Sequence, residues 1–445
     1  MERKPFKIIF TKERLITPSG LAIVGQMLKK TDLRKRVNSL GKPKNYGHRN
    51  YECVAGYIGL LCQGKTVYDD LREMQEDPGF YCDALGIESI PSAETVRQRL
   101  DEFGFDLAAL PLLMEENVKL LQRCGIKPGL TSTGHAALDV DVSIHDNSNT
   151  KKEGVERTYM GIDGYAPIYA YLGNEGYLAN AELREGGCHC QNGTVEFLRD
   201  TLAYAKQITG AKLLVRMDSG NDSLENLELF IEENVDYLVK RNLRKERLDE
   251  WLAEAKLAVK EGSGASVSPR PGKTVYTGSV LRKRDGVEAP IRAVFQVTER
   301  TSLYNGQMLL VPDIDVQTWW TSLDDPPEEI FRLYRDHAVC EQFHSEIKTD
   351  IGLERFPSGN FDTNAAILRM AVLAYNILRA IGQTALDGST PLTRHEVSRL
   401  RAKTVMQRLI FIAGHAISHA RQKFLSLGRS NIWRDAFLKV YLAFS

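Results

Sequence analysis

A chain of 445 residues and 50.0 kDa is longer than one compact domain usually runs, so two to four modules are expected. The start MERKPFKIIF lacks the apolar core of a secretory signal, and the most apolar run, AAILRMAVLAYNILRAIG, is broken by Arg369, Asn376 and Arg379, which argues for a soluble, intracellular protein without a membrane span. Net charge is zero, yet residues 1–50 hold 13 Lys+Arg against 3 Asp+Glu and residues 394–445 hold 10 against 2, leaving an acidic centre of 35 against 53.

Basic ends around an acidic middle suit a protein whose arms grip a polyanion while its centre holds cations. Solvated helix surfaces give the same counts. Residues 1–130 read as helical: LAIVGQMLKKTDLRKRVNSL is amphipathic, and SAETVRQRLDEFG starts at Ser92 and closes at Gly104. Short helices with Ser and Arg near their starts resemble helix-turn-helix DNA readers, a weak signal that plain bundles share.

The pattern changes at Ala136. In AALDVDVSIHD, Leu138, Val140 and Val142 alternate with Asp139, Asp141 and Ser143, as in a strand with one packed face. The strand-like pieces TYMGIDGY, APIYAYLGN and YLANAELREG follow, then the helix TVEFLRDTLAYAKQITG, the apolar strand in KLLVRMDSGND, the helix SLENLELFIEENV and the strand DYLVKRN. Alternation of this kind predicts an α/β domain on a mixed sheet, with its first part over 131–240. Among seven cysteines only Cys188-His189-Cys190 looks deliberate. It lacks a second ligand pair at zinc-finger spacing, so REGGCHCQNG reads as a Gly-rich loop.

Residues 241–315 read as a β-rich insertion after a charged helical piece, KERLDEWLAEAKLAVKE. The α/β domain resumes over 316–358 with TWWTSL and one long helix, PPEEIFRLYRDHAVCEQFHSEIKTD. Residues 359–445 read as helical to the end. Along the long helix Tyr334, His337, Glu341 and Lys348 are spaced by three, four and seven, and so form one polar stripe.

Three carboxylates stand where such a scaffold converges them: Asp141 on the first strand, Asp218 at the carboxyl end of an apolar strand, and Glu341 on the late helix. Carboxylates are hard ligands for Mg²⁺ or Mn²⁺, and two such ions ~3.5–4 Å apart activate an attacking oxygen and stabilise a leaving one in phosphoryl transfer. Asp139 shares the face of Asp141 and either could be the ligand; Ser143 favours Asp141.

On these residues the chain resembles the DDE transposases of bacterial insertion sequences, the cut-and-paste group with a Tyr-x2-Arg-x3-Glu-x6-Lys signature. Tyr334, Glu341 and Lys348 match in type and spacing, Asp141-Val142-Ser143 matches the first acid, and Asp218 in RMDSGND the second. The resemblance implies a ribonuclease H-like mixed sheet with a β-rich insertion, flanked by helical regions, the first of which binds DNA. It implies catalysis and metal binding by Asp141, Asp218 and Glu341, with two Mg²⁺ or Mn²⁺ ions per site. The implied partners are double-stranded DNA with terminal inverted repeats and target DNA. A homodimer in the synaptic complex and a cytoplasmic, nucleoid-associated location follow from the same likeness. Tyr334, His337 and Lys348 would contact DNA, and Trp319 or Trp320 would serve as a stacking platform.

The departure is His337 in the Arg position, which exchanges a permanently charged fork for a ring with an ordinary pKa of ~6.5. Arg335, roughly 200° around the helix, is poorly placed to replace it. Two other readings stay open: a ribonuclease H-like nuclease without strand transfer, and a non-catalytic DNA-binding protein derived from a transposase.

Overall fold

The alternating segment at Ala136 forms β1 (Ala136–Val142), an interior strand of a nine-stranded sheet. The computed structural model describes residues 6–10, 12–41, 47–284, 287, 289–387, 395 and 397–445; the remaining parts of the basic amino-terminal stretch lie outside the described residues. Two compact units are present: residues 125–348 with 354–372, and residues 1–124 with 349–353 and 373–445.

In the first unit, β1 pairs antiparallel with β2 (Ile168–Leu172), which pairs with β3 (Tyr177–Glu182). Past β3 comes α1 (Thr194–Ile208), then β4 (Leu213–Met217) parallel to β1, α2 (Leu224–Glu232), and β5 (Asp236–Lys240) parallel to β4. The order 3-2-1-4-5 leaves β1 and β4 buried on both faces, which is why their residues are almost all inaccessible.

The β-rich stretch opens with α3 (Leu248–Lys260) and supplies β6 (Gly264–Arg270), β7 (Lys273–Arg282), β8 (Ile291–Ser302) and β9 (Met308–Thr321). These strands continue the same sheet: the end of β9 pairs antiparallel with β5 at Trp319–Thr321. Trp251 and Ala255 of α3 pack against Phe295 and Val297 on one face.

The long helix expected over 326–350 is broken. It consists of α4 (Pro327–His337), a turn at Ala338–Val339, α5 (Cys340–Ser345) and a π-helical turn over Glu346–Asp350. The stripe from Tyr334 to Lys348 therefore does not lie on one continuous helix. Gly176, at φ +73° in the turn between β2 and β3, admits α5 closely, for a Cβ there would lie 2.3 Å from the Phe343 ring.

In the second unit, Ala93–Gly104 is a helix with the expected limits, capped by Ser92 Oγ accepting from the Thr95 amide at 3.1 Å. Its arginines are engaged within the unit, Arg97 with Glu94 and Asp101, and Arg99 with Asn50 and the His48 carbonyl. The carboxyl-terminal region is not all helix: Gly414–His419 and Gln422–Leu427 form a hairpin that Leu15–Ile16 joins as a third strand. In the second of these strands the half-buried Leu425 and Leu427 flank the exposed Ser426, a period of two inside a segment read for its helical flanks. Helix Phe361–Leu386 is longer and more apolar than expected, enough to cross a membrane by length and composition, but 94% of its most apolar window is buried inside the protein.

Candidate active site

Asp139 and Asp141 share a face of β1 and meet different neighbours. Asp139 is 1% exposed and stands opposite Arg216 in the parallel register with β4. Arg216 donates from Nε to Oδ1 at 2.6 Å and from Nη2 to Oδ2 at 2.7 Å, while its Nη1 donates to the Leu333 carbonyl at 2.6 Å. His337 Nδ1 donates to the same carboxylate at 2.8 Å. Burial alone would raise the Asp139 pKa, but Arg216 and His337 outweigh it and hold it below its ordinary value.

This arrangement bears on two expectations. Asp139 has both oxygens committed to protein cations beneath the surface, so it is a poor candidate for a metal ligand. His337, 6% exposed, faces Asp139 and not a solvent-side phosphate. Asp139, His337 and Cys340 do cluster closely enough to hold an ion. The bidentate guanidinium at Asp139 already neutralises that carboxylate, and a second cation beside Arg216 would be repelled.

Asp141, one pleat further along, opens onto a cavity of about 410 Å³ lined also by Asp218, Arg157, Tyr159, His189 and Cys190. Asp218 follows the last residue of β4 and caps the turn Ser219–Asn221, accepting from the Gly220 amide at 3.1 Å and from Asn221 Nδ2 at 2.8 Å. Burial and the charge of Asp141 raise its pKa, against those donors. Glu341 is exposed on α5. Its charge, with those of Asp141 and Asp218, reaches the Tyr159 hydroxyl, whose pKa is raised by burial first and then by these three acids. Asp141 and Asp218 line the same cavity and the charge of Glu341 reaches the Tyr159 that also lines it, with no Lys or Arg among the described residues ion-paired to any of the three.

Tyr334 is half-buried beside this region, packed on Trp319 and His337 with ring centres 5.6 Å away in each case. Lys348 lies half-buried in the π-helical turn, and among the described residues no hydrogen bond or ion pair joins it to the three acids. The Cys188–Cys190 loop, read as Gly-rich and without zinc, closes over the Asp218 turn, Cys190 Sγ donating to the Gly220 carbonyl at 3.0 Å. All seven cysteines are free.

The tryptophans do not offer an open stacking face. Trp319 is 3% exposed in a core cluster with Ile330 and Leu333. Trp320, also 3% exposed, donates from Nε1 to Asp222 at 3.0 Å and lies under Arg241 and Arg284, 4.1 and 5.3 Å from its ring centre. Trp320 thereby floors a separate cavity of about 560 Å³ at the other end of the Asp218–Asp222 turn, which Arg244, Arg282 and Lys283 also line.

A family model, "Transposase DDE domain group 1", matches residues 1–444. The chain belongs to that family of DDE transposases. Among curated protein sequences none matches it. The cryo-EM structure of a piggyBac transposase synaptic complex with hairpin DNA is similar over 88% of this chain and 78% of that one, at 11% identity and a TM-score of 0.39. Two residues that contact the acids of β1 were not found by sequence reasoning: Arg216, two residues before Asp218, which donates to Asp139, and His344, three after Glu341, whose Nε2 lies 3.2 Å from Asp141. The second had a signal, since an i, i+3 pair shares a helix face.

Proposed function

We propose that this DDE transposase excises and inserts an insertion sequence by cut-and-paste chemistry on a ribonuclease H-like scaffold, with Asp141, Asp218 and Glu341 as its catalytic carboxylates. The observation that carries the reading is the contrast on β1: Asp139 is neutralised by the protein, whereas Asp141 shares its cavity with a second acid and no paired cation. Two carboxylates that share one cavity repel each other, a repulsion that bound cations would relieve, and oxygen donors of this kind suit Mg²⁺ or Mn²⁺. Asp141, Asp218 and Glu341 would hold them. When bound, two such ions supply charge stabilisation to the attacking and leaving oxygens of a phosphodiester.

The chain's own contribution is to keep these oxygens free. The Gly220 amide and Asn221 fix Asp218 from behind, the Cys188–Cys190 loop covers its turn, and Arg157 and Tyr159 line the opposite side of the cavity, placed to meet a phosphate. Tyr334 remains a candidate DNA contact beside the carboxylates, and Lys348 a candidate further along the backbone. The role expected of a charged group at position 337 passes to Arg157 or to the arginines over Trp320. The basic amino-terminal region would recognise terminal inverted repeats, and pairing two ends before joining target DNA would require two copies at the nucleoid.

The deciding experiment incubates the purified protein and Mg²⁺ with a labelled duplex carrying the element ends. Nicked and joined products are expected, and chelation should abolish both while leaving DNA binding. Hydrolysed products alone would support the nuclease reading, and binding without cleavage the non-catalytic one.

A further inference from the structure

We propose that His344 is a positioning residue for the metal-binding carboxylates, holding Asp141 in register with Glu341; this rests on the reading of those acids given above. His344 lies on α5, one turn beyond Glu341, with its side chain 4% exposed. Its Nε2 is 3.2 Å from Asp141 Oδ2 and its Nδ1 is 3.0 Å from the Tyr171 hydroxyl. Tyr171 is fully buried on β2, the strand paired with β1.

The chemistry of these three groups fixes the direction of the chain. An ionised carboxylate only accepts, so Nε2 carries the hydrogen and donates to Asp141. A neutral ring then has an accepting Nδ1, to which the phenol donates. The rings of Tyr169 and Tyr171, each centred 5.4 Å from the imidazole, leave it little freedom to turn away.

Asp141 Oδ1 accepts from the Val142 amide at 2.8 Å, so each of its oxygens has one protein donor and keeps lone-pair capacity for a cation. Glu341 and the imidazole ride on the same six-residue helix. The bond from His344 to Asp141 therefore ties the helix that carries one acid to the strand that carries another. Outer partners of this type orient metal ligands, and their loss commonly costs about 10–100-fold in metal affinity.

The test is a calorimetric titration of the full-length protein with Mn²⁺, beside DNA cleavage measured against Mg²⁺ concentration. His344→Ala should weaken Mn²⁺ binding by about 10–100-fold and raise the half-activating Mg²⁺ concentration in parallel, with a smaller loss of rate at saturating Mg²⁺. His344→Gln, whose amide donates from near the Nε2 position, should recover most of the affinity. Tyr171→Phe, which keeps the ring and removes only the donor, should produce an intermediate loss, and it decides the matter if His344→Ala does not fold. Unchanged Mn²⁺ affinity in the folded variants overturns the proposal even if cleavage slows. A wild-type protein that cleaves DNA while the variants bind metal normally leaves the transposase reading standing. Failure of the wild type to bind Mn²⁺ overturns both.

Discussion

Asp139 and Asp141 are two residues apart on one face of β1, yet they belong to opposite electrostatic regimes. Around Asp139 the protein supplies its own cations, Arg216 and His337, and closes over them. Around Asp141 it gathers further acid, leaves the carboxylates facing a cavity, and bonds to them through backbone amides, Asn221 and His344, with no Lys or Arg among the described residues ion-paired to them. The difference lies not in the residues but in what the next strand places opposite: Arg216 stands across from Asp139, whereas β4 ends before it reaches Asp141. A strand that stops short is what opens the site, the general reason that open α/β sheets work at the carboxyl ends of their strands.

The sharpest way to break this comparison is to neutralise each acid in turn. Asp141→Asn, Asp218→Asn and Glu341→Gln should each reduce cleavage by about 10³-fold or more, as the loss of a group that manages transition-state charge does, with DNA binding retained. Asp218→Asn should also raise the thermal midpoint slightly, because it removes a buried charge held against its neighbour. Asp139→Asn should act through folding, destabilising the protein by about 3–5 kcal/mol in chemical denaturation because Arg216 is left without its counter-charge. If Asp139→Asn folds normally and is inactive while Asp141→Asn still cuts, the assignment of the two acids is reversed. Replacing the pair together, Asp139→Leu with Arg216→Met, should recover much of the lost stability.

The sequence carried the site in one sense and concealed it in another. Asp141, Asp218 and Glu341 stood out as candidates because each sits at a recognisable place on its element, and the order of strands and helices from Ala136 to Lys240 followed from periodicity. The parallel register that sets Arg216 against Asp139 leaves no local signal, so two acids on one face could not be separated. The break at Ala338–Val339 was hidden for a related reason: nothing there is Pro or Gly, and the helix turns because Cys340, Phe343 and His344 are buried on packing partners far away in sequence. The hairpin at 414–427 was missed because six-residue strands with His, Ser and Lys on their outer side resemble a polar helix face.

A gentler probe of the inner regime is pH. The His337 pKa is lowered by burial but raised more by Asp139, so it lies above its ordinary value of 6.5. A group raised in the folded state contributes stability fully below its unfolded pKa and loses it as pH rises through the folded one. Asp139, held below its ordinary 3.8, contributes above that value and loses its share as pH falls through its folded pKa. The pair should therefore stabilise most between roughly pH 4 and 6.5. Unfolding free energy should decline above that window, and His337→Asn should flatten the decline. An unchanged slope in the variant would place the titration elsewhere.

The smallest effect tests whether the cavity over Trp320, lined by five basic and four acidic side chains, belongs with Asp141 and Asp218 as one DNA path. Asp218 opens the turn that ends at Asp222, and Asp222 is held by Trp320, by Arg284 at 3.2 Å and through its carbonyl by Arg244 at 3.0 Å. A strand whose scissile phosphate sits at Asp218 would carry a neighbouring phosphate toward these arginines. Lys283→Gln and Arg284→Gln should then each weaken DNA binding for all sequences alike and lower the slope of log K against log salt by about 1. Arg241 is a different case. Among the described residues its Nε and Nη1 have no hydrogen-bond partner, and its guanidinium lies over Trp251 and Trp320, so Arg241→Gln should disturb packing as well as charge. A slope unchanged in both surface variants, with cleavage intact, would separate this cavity from the DNA path and leave the acids of β1, β4 and α5 as the whole of the site.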